Sequence, residues 1–426
     1  MKIELNGEHQ RERAILVGCG QKQKEWEIRA TVSELEQLTE TAGAETIHTV
    51  FQFRDRYDAK WLVGKGKATE IADLAETDDI DLVIFDQELS PAQIFHLEAV
   101  FPCKVIDRTQ LILDIFARRA QTKEGRLQVE LAQLQYMLPR LTGKGKEMSR
   151  LGGGIGTRGP GEKKLETDRR HIRNQISDLK KHLEDVKKHR RLHQERRSKQ
   201  SLYQIALVGY TNAGKSTLLN KLTGADVLAE NQLFATLDPT TRSLELPSGK
   251  EVLITDTVGF IRNLPHHLIA AFRSTLEQVR EANLLLHVVD MSHPEMTAQI
   301  NAVEQVLTDL GAGHLPTLMI YNKKDLSHLH EVEKNIQDRI QITAKNDRDI
   351  VYLKEKIESH MQRDDVRAQI ELPVARGEWI AELYRAGEVL HVTSEEEYMR
   401  MQVRMSKLAF EQLSRDLKSV VFENQV

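Results

Sequence analysis

The sequence predicts a multidomain α/β protein. The chain has 426 residues, more than one hydrophobic core usually organises, and 40% of them are hydrophobic. Apolar strand-like runs alternate with amphipathic helix-like segments over residues 14–108, again over 203–345, and in a shorter stretch near the C terminus. Alternation of this kind is typical of sheets covered by helices. We therefore expect three or four domains.

The N-terminal domain, residues 1–110, is predicted to contain a largely parallel sheet. Strand-like runs such as "RAILVGC" and "DLVIFDQ" alternate with helix-like segments such as "VSELEQLTETAG". The "GKGK" at 64–67 lacks the preceding spacing and the hydroxyl of a phosphate-binding loop. We interpret it as a basic surface turn, and the rival interpretation is a second nucleotide site.

Residues 111–198 are predicted to form an antiparallel helical hairpin. Two apolar seams, with steps of three and four residues, flank the glycine-rich segment "LGGGIGTRGPGE" at 151–162. The first seam consists of Leu127, Leu131, Leu134 and Leu138, and the second of Ile172, Ile176, Leu179, Leu183 and Val186. The glycine-rich segment is then the hairpin tip.

The tip has two competing interpretations as a binding site. Its glycines match the G-x-G-x-x-G spacing of a dinucleotide-binding turn, but a helix precedes them where that turn needs a strand. Residues 140–199 hold 19 Lys or Arg and 8 Asp or Glu, which favours a nucleic-acid partner over a solvated charged helix or a disordered linker. The candidate RNA contacts are Arg150, Gly153, Gly154, Arg158, Lys163 and Lys164.

A stronger nucleotide signal follows at "LYQIALVGYTNAGKSTLLNKLTG". Here a strand, a G-x-x-x-x-G-K-S loop and a helix occur in the order that phosphate binding requires. Backbone amides surround the phosphates, Lys215 neutralises them, and the Ser216 hydroxyl coordinates Mg²⁺. The candidate nucleotide contacts in this loop are Gly209, Tyr210, Thr211, Asn212, Ala213, Gly214, Lys215, Ser216 and Thr217.

Three later motifs each follow an apolar strand run. They are "DTVG" at 256–259, "NKKD" at 322–325 and "TAK" at 343–345. Ligands collect at the carboxyl ends of parallel strands, so we expect these motifs to meet at one site. They contribute Asp256, which reaches Mg²⁺ through water, with Thr257, Val258, Gly259, Asn322, Lys323, Lys324, Asp325, Thr343, Ala344 and Lys345.

Asp325 favours guanine as the base. Its carboxylate can accept hydrogen bonds from both the ring N1–H and the exocyclic amine of guanine, whereas adenine offers no such pair. The set of motifs therefore predicts a GTPase domain over residues 199–364 that binds GTP and GDP.

A switch threonine is expected in "FATLDPTTR", between the phosphate loop and Asp256. Such a hydroxyl reaches Mg²⁺ only while the terminal phosphate is present. The candidates are Thr236, Thr240 and Thr241, and we choose Thr236 because a strand resumes near Arg242. The neighbouring candidate contacts are Phe234, Ala235, Leu237 and Asp238.

Taken together, the motifs resemble the HflX family of translation-factor-related GTPases. The resemblance covers at least residues 10–345 and depends on "WLVGKGKATEI", the glycine-rich tip, "FATLD" and "DTVGF". It implies a two-layer N-terminal domain, binding to the large ribosomal subunit and its rRNA, and GTP-dependent splitting of stalled ribosomes under stress. It also supports Thr236 as a magnesium ligand.

Slow intrinsic hydrolysis is expected, because Phe260 stands where many switch GTPases carry a water-orienting glutamine. The residues assigned to catalysis are Lys215, Thr236 and Gly259. The resemblance to potassium-activated GTPases makes Asn212 a candidate K⁺ ligand, so the expected cofactors are Mg²⁺ and K⁺.

The remaining expectations concern the ends of the chain and its surroundings. Residues 365–426 read as a small C-terminal α/β domain whose methionines belong to its core. The two cysteines lack metal-ligand spacing, and neither a signal segment nor a membrane span is present, so we expect a cytoplasmic monomer. Two alternatives are an RNA-binding module in which nucleotide only orders the structure, and a metabolic kinase, which would have no use for "NKKD".

Overall fold

The computed structural model describes residues 11–141, 160–198, 202–225, 232–262, 278–327, 338–395 and 397–425. The chain divides into two compact units, of which the first contains Met1–Leu244 and Glu251–Lys345 and the second contains Glu245–Lys250 and Asn346–Val426. Helices and strands alternate in both units, so the predicted multidomain α/β architecture is confirmed. No helix of the described residues is long and apolar enough to cross a membrane.

A four-stranded parallel sheet forms the N-terminal part of the first unit. Its strands are β1 (Glu12–Gly20), β2 (Ala44–Phe53), β3 (Leu82–Phe85) and β4 (Lys104–Asp107), in the order β2-β1-β3-β4. Helices α1 (Glu25–Thr41), α2 (Lys65–Thr77), α3 (Pro91–Glu98) and α4 (Arg108–Arg119) connect or follow them.

Both faces of this sheet are buried, as in other parallel sheets. Ala14 and Leu16 of β1 belong to one hydrophobic core, and the alternating residues Ile15 and Val17 belong to another. The "GKGK" segment forms the start of α2, where Gly64 is the N-cap and Lys67 lies 2.6 Å from Glu70.

Two long helices follow, α5 (Lys123–Arg140) and α6 (Pro160–Ser198). They pack together through the seams that the leucine and isoleucine spacing predicts, using Leu127, Leu131, Leu134, Ile176, Leu179 and Leu183. Pro139 is the second-last residue of α5, and the hairpin tip lies outside the described residues.

A six-stranded sheet forms the rest of the first unit. Its strands are β5 (Gln204–Gly209), β6 (Thr240–Glu245), β7 (Glu251–Asp256), β8 (Leu284–Asp290), β9 (Thr317–Asn322) and β10 (Arg339–Gln341). The order is β10-β9-β8-β5-β7-β6, and the pairs from β10 to β7 are parallel. Helix α7 (Lys215–Thr223) follows β5, and α8 (Met296–Asp309) follows β8. The carboxyl ends of β5, β7, β8 and β9 therefore share one edge of the sheet.

The second unit contains a four-stranded antiparallel sheet. Its elements are α9 (Asp347–Met361), β11 (Asp365–Pro373), α10 (Gly377–Ala386), β12 (Glu388–Ser394), β13 (Tyr398–Ser406), α11 (Lys407–Gln412), α12 (Arg415–Ser419) and β14 (Val421–Gln425). The strand order is β12-β13-β11-β14. Met401 and Met405 lie in its core, as predicted. Helix α9 belongs to this unit, whereas the predicted boundary at residue 365 left it with the preceding domain.

Candidate functional site

The phosphate loop, residues 209–216, joins β5 to α7 and depends on two glycines. Gly209 and Gly214 have φ values of 153° and 96°, which L side chains rarely adopt. A Cβ at Gly209 would lie 2.2 Å from the Val288 carbonyl oxygen, and one at Gly214 would lie 2.4 Å from Asn322 Nδ2. The loop can therefore follow this path only with glycine at both positions.

Lys215 is the buried cation of the loop. Its Nζ donates to the carbonyl oxygens of Gly209 at 3.2 Å and Tyr210 at 2.7 Å. Burial lowers the pKa of Lys215 to about 8, and the carboxylate of Asp256 partly opposes that shift. The ammonium is thus under-solvated, and anionic oxygens would stabilise it.

Three oxygen-bearing side chains meet beside Lys215. Ser216 Oγ donates to Asp256 Oδ2 at 2.7 Å, Thr236 Oγ1 donates to the same oxygen at 3.0 Å, and the two hydroxyls lie 2.9 Å apart. Burial raises the pKa of Asp256. The second carboxylate oxygen of Asp256, Oδ1, is buried without a hydrogen-bond partner.

The position of Thr236 separates it from the other two switch candidates. Thr240 begins β6, and the Thr241 hydroxyl lies 2.9 Å from the hydroxyl of Thr255. Of the three candidates, the structure therefore brings Thr236 to Ser216 and Asp256.

A cavity of about 50 Å³ lies over the phosphate loop. Gly259 closes one side of it, since a Cβ there would lie 2.8 Å from Thr211 Cα and 3.1 Å from Lys215 Nζ. The residues that line it are Thr211, Asn212, Gly214, Lys215, Ser216, Thr217, Gln232, Phe234, Ala235, Thr236, Thr257 and Gly259. Gln232 was not predicted, because nothing in its local sequence marks it as a site residue.

A second cavity, of about 440 Å³, lies at the ends of β9 and β10. Asn322 fixes its wall: its Nδ2 donates to the Ala213 carbonyl at 2.9 Å, and its Oδ1 accepts from the Ala344 amide at 3.0 Å. Thr343 Oγ1 donates to Asp325 at 3.2 Å. The residues that line it are Asn212, Gly214, Thr217, Asn322, Lys323, Asp325, Leu326, Thr343, Ala344 and Lys345.

Two residues of this region were missed by the sequence analysis. Asp290, at the carboxyl end of β8, accepts a hydrogen bond from Lys323 Nζ at 2.7 Å. Leu326 is 60% exposed and gives the cavity an apolar surface. The end of an apolar strand run was the available signal for Asp290, and the position after "NKKD" was the signal for Leu326.

Several predicted nucleotide contacts have side chains that point elsewhere. Leu237 and Val258 belong to the hydrophobic core, and the Thr257 hydroxyl donates to the Leu207 carbonyl at 2.6 Å. The Tyr210 hydroxyl donates to Glu34 and accepts from the Arg262 amide. Lys324 and Asp238 line neither of the two cavities, and Asp238 instead accepts hydrogen bonds from residues 121 and 122. For Tyr210 and Asp238, contacts with α1 and with the residues that precede α5 explain these directions.

The six candidate RNA contacts fall into two groups. Arg150, Gly153, Gly154 and Arg158 lie outside the described residues, while Lys163 and Lys164 lie in the first turns of α6.

Comparison with known proteins assigns a family to this arrangement. Three family models match this chain. Residues 29–117 match one described as GTP-binding GTPase N-terminal, and residues 119–197 match one described as GTP-binding GTPase middle region. Residues 204–323 match one described as 50S ribosome-binding GTPase. A crystal structure of a GTP-binding protein from Sulfolobus solfataricus in complex with GDP aligns over 82% of this chain and 98% of its own, with 24% identity and a TM-score of 0.44.

Two relatives are similar over most of their length. The GTPase HflX of Alkalihalophilus pseudofirmus is 52% identical over 351 residues, which cover 82% of this chain and 83% of the relative. The GTPase HflX of Escherichia coli is 41% identical over 396 residues, which cover 92% of this chain and 93% of the relative. The expected family is thereby confirmed, and the chain belongs to the HflX family of GTPases.

Proposed function

We propose that this protein is a GTP-driven switch that binds the large ribosomal subunit and its rRNA and that splits or rescues stalled ribosomes under stress. The observation that carries the proposal is the convergence of Ser216, Thr236 and Asp256, because it lets the loop that holds Thr236 respond to the terminal phosphate. The match of residues 204–323 to a 50S ribosome-binding GTPase model supports the ribosomal partner. Splitting and the stress role follow from the resemblance to the family.

The residues that line the phosphate cavity have the chemistry to bind a triphosphate with Mg²⁺. Hydroxyl and carboxylate oxygens are the ligands that Mg²⁺ prefers, and the unpartnered Oδ1 of Asp256 leaves a free acceptor for a bound water. Ser216 and Thr236 would ligate the ion directly, and Asp256 would hold it through water. When bound, the ion would neutralise phosphate charge. Lys215 would contact the outer phosphates, and the Gly259 amide would donate to the terminal one.

The larger cavity fits guanine. Asp325 would accept from N1–H and the exocyclic amine of the base, while Leu326 and the stem of Lys323 would cover its faces. Asn322 would fix the position of this cavity relative to the phosphate loop through its hydrogen bond to the Ala213 carbonyl.

Hydrolysis is proposed to be slow in the free protein and faster on the ribosome. Phe260 is 2% exposed and packs in the core, so its position offers no polar group to orient water. Lys215, Thr236 and Gly259 would stabilise charge on the transferring phosphate. Asn212 lines the phosphate cavity and is our candidate for a K⁺ ligand. Equal turnover in sodium and potassium buffers would exclude that role.

The basic hairpin is proposed as the RNA-binding element. Its tip residues Arg150, Gly153, Gly154 and Arg158, with Lys163 and Lys164 of α6, would contact rRNA phosphates. We propose four functional segments, residues 1–110, 111–198, 199–364 and 365–426, of which the third ends with α9, a helix that belongs to the second compact unit. The protein would act as a monomer in the cytoplasm.

Sedimentation of intact ribosomes tests this function. The full chain is added with GTP, with a non-hydrolysable analogue or with GDP, and we expect separated subunits with GTP and intact ribosomes with GDP. The result with the analogue distinguishes splitting by GTP binding from splitting that needs hydrolysis. Lys215→Ala is the control that removes nucleotide binding. Intact ribosomes under all three conditions would contradict the proposal. Multiple-turnover hydrolysis that fails to rise with large subunits would favour the RNA-binding alternative.

A further inference from the structure

The switch loop, residues 232–239, is held from both sides by the end of α4 and the start of α5. Before Thr236, the Phe234 ring packs edge-on against Phe116, with centroids 4.7 Å apart and ring planes at 76°. The side-chain oxygen of Gln232 also accepts a hydrogen bond from Arg119. After Thr236, the contact is made by Asp238.

Asp238 accepts three hydrogen bonds from the two residues that precede α5. Its Oδ2 accepts from the backbone amides of Gln121 at 2.7 Å and Thr122 at 2.8 Å, and its Oδ1 accepts from the Thr122 hydroxyl at 2.5 Å. Thr122 is also the N-cap of α5, since its hydroxyl accepts from the Gly125 amide at 2.9 Å. A carboxylate at a helix N-terminus interacts favourably with the helix dipole.

Gly125 provides independent support for the importance of this contact. A Cβ at Gly125 would lie 2.4 Å from Asp238 Oδ1 and 3.0 Å from Thr122 Oγ1. Glycine lowers helix stability relative to alanine, yet it occupies the first turn of α5. The close approach of Asp238 accounts for glycine at this position.

The backbone of the switch loop depends on these outside contacts. Phe234 has a φ of 55°, in the left-handed region that bulky residues rarely adopt. Its ring is 2% exposed, and it belongs to the same hydrophobic core as Phe116 and Leu237. Packing against α4 therefore compensates for an unfavourable local conformation.

We propose that Asp238 is a positioning residue for GTP hydrolysis, which holds the switch loop against the start of α5 and so keeps Thr236 at Ser216 and Asp256. Asp238 lines neither nucleotide cavity, so it acts through Thr236, which lies two positions earlier in the chain. The proposal rests on the magnesium-site role of Thr236 proposed above. Because Asp238 binds the two residues that precede α5, movement of the switch loop is linked to the helix that enters the hairpin.

Two variants of the full chain remove the contact in different ways. Asp238→Ala deletes the acceptor, whereas Gly125→Ala leaves all three hydrogen-bonding groups in place and displaces the carboxylate. Calorimetry then compares affinity for a non-hydrolysable GTP analogue with affinity for GDP, both in Mg²⁺. We expect both variants to bind the analogue about tenfold more weakly, as for loss of a charge-assisted hydrogen bond, with GDP affinity unchanged. The single-turnover rate of GTP hydrolysis should fall as well.

Two matched variants control for general damage. Gln121→Ala keeps the backbone amide that donates to Asp238, so its analogue and GDP affinities should equal those of the wild type. Asp238→Asn keeps one oxygen that can accept from both backbone amides, so its analogue affinity should fall between those of the wild type and Asp238→Ala.

Three results would overturn the proposal. The first is that Asp238→Ala and Gly125→Ala bind the analogue as tightly as the wild type, and the second is that they lose analogue and GDP affinity equally. Thr236→Ala separates this inference from the proposed function. If Thr236→Ala lowers the affinity for the analogue relative to GDP while Asp238→Ala and Gly125→Ala do not, the proposed role of Asp238 fails and that of Thr236 stands. The third result is that Thr236→Ala leaves the preference for the analogue over GDP unchanged, in which case the magnesium-site assignment fails and the Asp238 role fails with it.

Discussion

The Asn322 side chain donates from Nδ2 to the carbonyl oxygen of Ala213 across 2.9 Å, and this bond connects the walls of the phosphate-loop cavity and the cavity at the ends of β9 and β10. Its Oδ1 accepts from the Ala344 amide at 3.0 Å, so one buried side chain connects the phosphate loop, the end of β9 and the "TAK" motif. Gly214 is required for this approach, because a Cβ there would lie 2.4 Å from Nδ2.

Asn322→Ala should weaken binding of GTP and GDP together. The substitution leaves the Ala213 carbonyl and the Ala344 amide without their buried partner, at a cost of about 1–3 kcal/mol for each group. We expect affinity for both nucleotides to fall by at least about tenfold, measured by titration calorimetry. Lys324→Ala, at an exposed residue of the same motif, is the control and should bind normally. A loss confined to GTP would contradict a shared structural role.

Nucleotide affinity should fall as the pH rises above about 8. Burial lowers the pKa of Lys215 to about 8, so at pH 8.5 a large fraction of free protein has a neutral amine. Phosphate oxygens favour the ammonium and raise its pKa, so binding takes up a proton at this pH. Below pH 7 the amine is already charged and its contribution to affinity is constant.

Calorimetry of GDP binding at pH 8.5 in two buffers of different ionisation enthalpy measures this proton uptake. The last ionisation of a phosphate group has a pKa of about 6, so the phosphates of GDP are almost fully ionised at pH 8.5 and contribute little to proton uptake. Identical heats in the two buffers would show that Lys215 keeps its charge in the free protein.

The sequence predicted the local geometry of the site better than its side-chain directions. A strand, a G-x-x-x-x-G-K-S loop and a helix define the backbone path of the phosphate loop within one segment. Thr236 and Asp256 come from two later motifs, and the structure brings both of them to Ser216, as expected. Tyr210 was interpreted as a nucleotide contact, but its hydroxyl donates to Glu34, which lies 176 positions away in the chain. A contact between such distant segments leaves no mark in the sequence around either residue.

In the fold as well, local patterns were predicted from the sequence and contacts between distant segments were not. Apolar periodicity predicted the parallel strands and the helical seam of Leu131 with Leu179 and Leu183, because these patterns are local. It did not predict that α9 belongs with the second unit, since membership depends on which surfaces pack together. The anchoring of the switch loop by residues 121 and 122 was also missed for this reason.

Asp107 should be a major contributor to the stability of the N-terminal sheet and α5. This fully buried carboxylate accepts from the amides of Leu89 and Gln110 at 3.0 Å each and from the Tyr136 hydroxyl at 2.7 Å. Asp107→Ala leaves those donors unsatisfied and should destabilise the fold by about 3–5 kcal/mol. Tyr136→Phe removes one of the bonds and should cost about 1–2 kcal/mol. Urea unfolding measures both losses, and hydrogen exchange of β4 and α5 locates them. Equal losses for the two variants would contradict the larger role of Asp107.

A glutamine at position 260 should not accelerate GTP hydrolysis. Two hydrogen bonds hold the backbone of Phe260 against the start of the phosphate loop, since its amide donates to the Gly209 carbonyl at 3.1 Å and its carbonyl accepts from the Thr211 amide at 2.8 Å. The ring is 2% exposed and packs in the core with Tyr210 and Ile261. A glutamine side chain there would extend into the core and away from the terminal phosphate.

Phe260→Gln should therefore lower stability by about 3 kcal/mol or more, because it removes a core ring and buries an amide. The single-turnover rate of the folded fraction should not exceed that of the wild type. Phe260→Leu keeps an apolar side chain and should hydrolyse GTP at the wild-type rate, which separates packing from chemistry. A tenfold rise in the rate of GTP hydrolysis by Phe260→Gln would mean that residue 260 can reach the attacking water. Slow hydrolysis by the free protein would then result from the lack of a glutamine side-chain amide at this position.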